Sequence, residues 1–162
     1  MNARSIIRNS IEVLRDELDN SLPKAKIDDV GVLYIDDEEK NLKSLKSLFR
    51  KEKFIIYTAS NLEEALKILK SNNIHVVITD YKMPKNNGVQ CMELIHKKYP
   101  EVVGIALTAY ATEEIKNKFL EKVDVKNIIE KPFSFNEVKK IIIDSYKIYI
   151  FNVSKKWNTD QG

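Results

Sequence analysis

From Val30 onward, short apolar runs alternate with segments whose apolar residues recur at helical spacing. The apolar runs predict five strands, at 30–35, 54–59, 75–79, 102–107 and 125–130. The intervening and following segments predict five helices, at 39–50, 61–71, 88–99, 112–122 and 134–151. Strict alternation of short apolar strands with helices is typical of a doubly wound parallel sheet, with helices on both faces. The sequence therefore predicts one α/β domain over residues 30–151.

Two further segments flank this domain. Residues 1–29 contain an amphipathic stripe at Ile7, Ile11, Leu14 and Leu18, followed by a polar linker, and predict an extra N-terminal helix. Residues 152–162 are expected to form a C-terminal tail. The last predicted helix is apolar nearly all round, so we expect a second neighbour for it besides the sheet. Three neighbours are open: the N-terminal helix of the same chain, a second copy in a homodimer formed through the N-terminal and last helices, or another partner.

The charge distribution restricts the classes of partner. The chain has 162 residues and a net charge of +3, and its basic and acidic residues are interleaved. Nucleic-acid-binding proteins usually carry a dense basic stripe, so we expect no direct binding of nucleic acid. The apolar runs are shorter than the roughly 18 residues that span a bilayer, so we expect no membrane insertion. The single cysteine, Cys91, and the lack of a signal peptide indicate a cytoplasmic location.

Candidate chemistry lies at the carboxyl ends of the predicted strands, where open α/β sheets bind ligands. Asp36 and Asp37 follow the first strand, Asp80 the third, Thr108 the fourth and Lys131 the fifth. Strand-end aspartates often cap helices, but carboxylates only about 4 Å apart repel by roughly 4 kcal/mol at an effective dielectric of 20. Such a group of acids favours a bound cation, and hard oxygen ligands suit Mg²⁺. A cation, a lysine and a hydroxyl around a carboxylate would hold a phosphoryl group, with one carboxylate as its nucleophile.

Four motifs carry a resemblance to a known family: "VLYIDDE", "VVITDYKMPKNNG", "ALTAYA" and "IIEKPF". Together they make residues 29–151 similar to the receiver domain of two-component response regulators, which are chemotaxis-regulator-like proteins. This resemblance implies a flavodoxin-like sheet with strand order 2-1-3-4-5. It implies a phosphoacceptor signalling module that takes a phosphoryl group from a sensor histidine kinase or phosphotransfer protein. The implied module is no enzyme toward outside substrates and catalyses only its own phosphorylation and dephosphorylation.

The resemblance also implies a role for each site residue. Asp80 would be the phosphoacceptor, with Thr108 and Lys131 binding phosphoryl oxygens. Mg²⁺ would be bound by Asp80, by Asp37 directly, by Asp36 largely through water, and by the backbone carbonyl of Lys82.

Further implications concern the loops and the switch. The Lys131-Pro132 bond would be cis, and Gly88 would supply a positive φ after Asp80. Ile128 stands where the family usually has a tyrosine or phenylalanine that moves on activation, so we expect a different readout. We further expect the side chains of Lys82 and Tyr110 to slow attack by water on the phosphorylated form. The alternative function is a phosphorylation-independent pseudo-receiver that acts as a protein-interaction or dimerisation module.

Overall fold

The computed structural model describes residues 29–83, 85, 87–123 and 125–161. Within them lie five strands: β1 (Val30–Ile35), β2 (Phe54–Ala59), β3 (Val76–Asp80), β4 (Val103–Thr108) and β5 (Val125–Glu130). Five helices alternate with these strands: α1 (Glu39–Leu48), α2 (Leu62–Ser71), α3 (Gly88–Lys98), α4 (Glu113–Lys122) and α5 (Phe135–Asp160). All ten elements were predicted from the sequence. The expected helix within residues 1–29 lies outside the described residues, apart from Asp29 itself.

The sheet is parallel throughout and has the strand order β2-β1-β3-β4-β5, as the resemblance implied. β3 pairs with β4 so that Asp80 lies beside Leu107, and β4 pairs with β5 so that Thr108 lies beside Glu130. Because all five strands point the same way, the residues that end β1, β3, β4 and β5 lie along one edge of the sheet.

Two hydrophobic layers cover the sheet. One layer joins its first face to α1 and α5, through residues such as Leu45, Phe49 and Ile142. The other joins the opposite face to α2, α3 and α4, through residues such as Leu69 and Phe119. The three inner strands, β1, β3 and β4, are buried on both faces, which explains why β1 and β4 appear in the sequence as continuous apolar runs.

Side-chain caps fix the starts of α2, α4 and α5. Asn61 accepts a hydrogen bond from the backbone of Glu64 at 2.9 Å. Thr112 accepts one from Ile115 at 3.3 Å, and Ser134 one from Glu137 at 3.2 Å. Each side-chain oxygen pairs with a backbone N–H that the helix itself leaves unpaired.

Helix α5 extends further than the sequence predicted. It continues to Asp160, whereas the predicted helix ended at Phe151 because the apolar pattern weakens there. No glycine or proline interrupts residues 135–161, so nothing in the backbone chemistry stops the helix earlier. The extension includes Val153 and Trp157, whose residues are 40% and 68% exposed. Among the described residues, no helix is both long and apolar enough to cross a membrane.

Candidate functional site

The carboxyl edge of the sheet brings the predicted acidic residues together. Asp36 directly follows β1, Asp80 is the last residue of β3, and Asp37 stands next to Asp36. One carboxylate oxygen from each of these three residues lies within 4.8 Å of the others. Asp36 and Asp80 are buried, whereas Asp37 is exposed. The site is thus a partly open acidic pocket, which is what the order of strand ends predicted.

Lys131 supplies the positive charge of this pocket. It directly follows β5, and its Nζ lies 3.3 Å from Asp80 Oδ2 and 3.9 Å from Asp36 Oδ2. Its backbone N–H donates to the carbonyl of Thr108 at 2.8 Å, which ties the end of β5 to the end of β4. The lysine is therefore held where it can balance two carboxylates at once.

The pKa of the Asp80 carboxyl is raised above its usual value. Burial is the largest cause, since desolvation disfavours the charged form, and the charge of Asp36 adds to it. Lys131 and a hydrogen bond from the backbone N–H of Lys82 act in the opposite direction. Perturbed carboxyl groups of this kind cluster at functional sites.

Asp36 is held by donors that sequence reasoning missed. The hydroxyl of Tyr34 donates to its Oδ2 at 2.6 Å, and the side-chain amide of Asn41 donates to the same oxygen at 3.0 Å. The backbone N–H of Glu38 donates to its Oδ1 at 2.9 Å. Burial is the main reason that the pKa of Tyr34 is raised well above its usual range, so its hydroxyl keeps the proton that it donates. The sequence held a signal for the Tyr34 contact, because Tyr34 and Asp36 are two residues apart and such residues on a strand point to the same face.

Thr108 completes the pocket at the end of β4. Its hydroxyl donates to the backbone carbonyl of Tyr110 at 3.1 Å and accepts from the backbone N–H of the same residue at 3.1 Å. The Thr108 residue is 2% exposed, while Tyr110 is 73% exposed. The hydroxyl is thereby bonded to the loop that follows β4, so a movement of that loop would move or break these bonds.

The prediction that Gly88 has a positive φ is wrong. No glycine among the described residues has a positive φ, and Gly88 is instead the first residue of α3. Its role is close approach: a Cβ there would lie 2.6 Å from the Asp80 carbonyl oxygen and 3.0 Å from Tyr81 Cα. Gly88 N–H also donates to the Tyr81 carbonyl at 2.9 Å. The implied cis peptide between Lys131 and Pro132 is present.

Three other residues singled out by the sequence have clear positions. Ile128 is half-buried and packs against the hydrophobic layer under α2, α3 and α4. Lys82, like Tyr110, is exposed. Cys91 is fully buried, and its burial raises the pKa of the thiol to about 11, so it is an unreactive core residue.

The donor set fits Mg²⁺. Three carboxylates within 4.8 Å of one another offer hard oxygen ligands, and the exposed Asp37 leaves the pocket open to water. Mg²⁺ prefers one or two carboxylates and retains several waters, which an open pocket of this kind allows.

A phosphoacceptor signalling domain is the class that this fold and this acid–hydroxyl–lysine pocket define. The family model described as "Response regulator receiver domain" matches residues 32–143. The chain therefore belongs to the response regulator receiver domain family. It is a signalling module of two-component systems, and receiver domains of this family exchange signals with histidine kinases or phosphotransfer proteins.

Known relatives agree with this assignment. The transcriptional regulatory protein SrrA of Staphylococcus aureus is 32% identical over 109 residues, which are 66% of this chain and 44% of SrrA. The hydrogenase transcriptional regulatory protein HoxA of Bradyrhizobium diazoefficiens is 23% identical over 118 residues, 73% of this chain and 24% of HoxA. The chain thus spans less than half the length of these two curated relatives.

Solved receiver structures share the fold. The response regulator TrrA of Thermotoga maritima, solved in complex with Mg²⁺ and BeF, is 32% identical and has a TM-score of 0.63. The match covers 72% of this chain and 98% of TrrA. A CheY-like receiver domain from Methanospirillum hungatei has a TM-score of 0.68 at 23% identity, covering 74% of this chain and 95% of that one.

Proposed function

We propose that Asp80 accepts a phosphoryl group from a phosphohistidine of a sensor kinase or phosphotransfer protein. The observation that carries this proposal is the position of Lys131 Nζ, 3.3 Å from Asp80 Oδ2, beside two further carboxylates at the end of β3. A carboxylate at the end of a rigid, buried strand is held still for in-line attack. The site of phosphorylation and the site of the metal are then the same pocket.

The reaction is a phosphoryl transfer between two side chains. A carboxylate oxygen of Asp80 attacks the phosphorus, an O–P bond forms, the P–N bond to the imidazole breaks, and the imidazole leaves with the electron pair of that bond. Lys131 stays within reach of the new phosphoryl oxygens and offsets their charge. The Thr108 hydroxyl changes its acceptor from the Tyr110 carbonyl to a phosphoryl oxygen.

Mg²⁺ would be held by Asp80, Asp37 and the backbone carbonyl of Lys82, and through water by Asp36. When bound, it supplies positive charge that stabilises the transferring phosphoryl group. With no outside substrate, the module catalyses only its own phosphorylation and the later hydrolysis of the acyl phosphate. The side chains of Lys82 and Tyr110, both exposed beside the site residues, would slow that hydrolysis by restricting water.

Uptake of phosphate from acetyl phosphate in the presence of Mg²⁺, followed by intact mass, tests this proposal. We expect the native chain and the control variant Glu93→Gln, which changes an exposed acid on α3, to gain one phosphoryl group. Asp80→Asn should gain none. If the folded native chain gains none, or if Asp80→Asn is still phosphorylated, the proposal is wrong, and the first result would favour a pseudo-receiver.

We also propose that the end of α5 forms a homodimer contact. Val153 and Trp157 are four residues apart, and so lie on one side of the helix, and both are exposed. A solved relative, the beryllofluoride-activated NtrC4 receiver domain, is a dimer and is 30% identical with a TM-score of 0.67. Sedimentation of the full chain should show a dimer that Trp157→Gln weakens, whereas a native monomer at high concentration would contradict this.

A further inference from the structure

The strand β1 places an unusual polar group beside the acidic pocket. The hydroxyl of Tyr34 lies 2.6 Å from Asp36 Oδ2, and the two residues are 2% and 0% exposed. The ring of Tyr34 packs in the hydrophobic layer under α1 and α5. A buried hydroxyl needs a partner, and Asp36 is the partner that it has. Packing alone would be served equally well by phenylalanine.

This hydroxyl belongs to a set of donors that fill both oxygens of Asp36. Oδ2 accepts from Tyr34 and from Asn41, and Oδ1 accepts from the backbone N–H of Glu38. Hydrogen bonds to an ionised group are each worth about 1.5–3 kcal/mol. Asp36 can therefore stay buried beside two other acids, although Lys131 Nζ is no closer to it than 3.9 Å.

The donors and a cation act on the same negative charge. The hydrogen of the Tyr34 hydroxyl faces Asp36, so the O–H dipole presents its positive end toward the acidic pocket. It stabilises Asp36 when no cation is there, and its interaction with Asp36 weakens when a cation draws on the same carboxylate. Its loss should hence cost the metal-free protein more than the metal-bound protein.

We propose that Tyr34 is a positioning residue whose hydroxyl partly offsets the charge of Asp36 and thereby limits the affinity of the acidic pocket for Mg²⁺. This inference rests on the proposed Mg²⁺ site. It gives β1 a second role besides forming the sheet, because the hydroxyl of its core residue Tyr34 lowers the affinity of the pocket for Mg²⁺.

The test is isothermal titration of Mg²⁺ into the native chain, Tyr34→Phe and the matched control Tyr57→Phe. Tyr57 is a residue of β2 that packs on the opposite face of the sheet. We expect the Mg²⁺ Kd of Tyr34→Phe to be about three- to tenfold lower than that of the native chain. Such a change corresponds to a fraction of the energy of a hydrogen bond to a charged group. The Kd of Tyr57→Phe should stay within about twofold of the native value, because the Tyr57 ring lies on the opposite face of the sheet from Tyr34.

Thermal unfolding without metal supplies a second readout. Tyr34→Phe should unfold at a lower temperature than the native chain in chelator, and saturating Mg²⁺ should narrow that difference. A residue with only a packing role would show the same difference in both conditions. In an Asp36→Asn background, Tyr34→Phe should no longer change the Mg²⁺ affinity, because the charge that couples the two is gone.

The outcomes separate this inference from the proposed function. If the native chain binds no Mg²⁺, both are wrong. If the native chain binds Mg²⁺ and Tyr34→Phe binds it equally or more weakly, the inference about Tyr34 alone is overturned.

Discussion

Replacing Asp80 with asparagine should stabilise the metal-free protein. Carboxylate oxygens of Asp36 and Asp37 lie within 4.8 Å of Asp80, and at an effective dielectric of 20 each repels it by at least about 3.5 kcal/mol. On the same scale, attraction to Lys131 Nζ at 3.3 Å is worth about 5 kcal/mol. On this scale the repulsion exceeds the attraction by about 2 kcal/mol, and water around the exposed Asp37 reduces this surplus. The burial of Asp80, the largest cause of its raised pKa, adds to the cost of its charge. We expect a net gain of about 1–2 kcal/mol for Asp80→Asn.

Thermal unfolding in chelator and in Mg²⁺ measures this effect. For a chain of this size, each kcal/mol shifts the melting temperature by about 2–4 °C. Asp80→Asn should therefore melt several degrees higher than the native chain in chelator, and should gain less from added Mg²⁺. The control Glu93→Gln should match the native chain in both conditions. A lower melting temperature for Asp80→Asn in chelator would refute the reasoning, because the acids would then not be in net repulsion.

The pH dependence of the stability gives an independent check on the cost of the Asp80 charge. The pKa of Asp80 is raised in the folded state, mainly by burial. The folded state therefore binds the proton more tightly than the unfolded state, so this group favours folding at low pH and loses that contribution as pH rises through the folded pKa. The stability gap between Asp80→Asn and the native chain should be small near pH 4 and should widen toward neutrality.

Three further predictions concern the residues around the pocket and the opposite edge of the sheet. Gly88→Ala should destabilise the fold by about 1–3 kcal/mol in urea unfolding, because the new Cβ would lie 2.6 Å from the Asp80 carbonyl oxygen. Lys131→Met should cost about 1–3 kcal/mol in the same assay, since it leaves buried acids uncompensated. His75 accepts a hydrogen bond from Gly31 N–H, and burial lowers its pKa, so stability should fall as pH drops below about 6.5. His75→Gln, which keeps an acceptor without a titrating ring, should reduce that fall.

Each of these predictions has its own counter-result. An alanine in a helix normally adds about 0.5–1 kcal/mol over glycine, so a stabilised Gly88→Ala would show that the contact is relieved at no cost. Lys139→Met, which breaks a surface pair with Glu52 at 2.8 Å, is the matched control for Lys131→Met and should cost about 0–1 kcal/mol. Equal losses of stability in Lys131→Met and Lys139→Met would contradict a special role for Lys131. If stability falls with decreasing pH as steeply in His75→Gln as in the native chain, other titrating groups cause that fall.

The positions of the acids, the hydroxyl and the lysine followed from the sequence for a simple physical reason. A parallel sheet aligns the carboxyl ends of its strands, so residues far apart in the chain meet once the strands are recognised. The one-residue shifts of β3 and β4, which add Asp80 and Thr108 to the strands, leave this alignment intact. Strand identity alone was therefore enough to locate the pocket.

Details that depend on three-dimensional contacts were harder to predict. The need for glycine at position 88 comes from the carbonyl of Asp80, eight residues earlier, and a positive φ is the commoner reason for a loop glycine. The bond from Asn41 to Asp36 depends on how α1 leaves β1, which no periodicity describes. Tyr34 was hidden by its apolar ring, since a tyrosine in a buried strand looks like one more core residue.

The contacts of Thr108 indicate how a chemical change at Asp80 would alter the surface of this protein. The resemblance places Ile128 where the family usually has an aromatic residue that moves on activation, and Ile128, which packs against the core, has no ring to move. The Thr108 hydroxyl, however, is bonded to both backbone groups of Tyr110. Any new acceptor for this hydroxyl at Asp80 has to displace the Tyr110 carbonyl. The loop after β4, with its exposed Tyr110, is thus the part of the surface most directly coupled to the pocket.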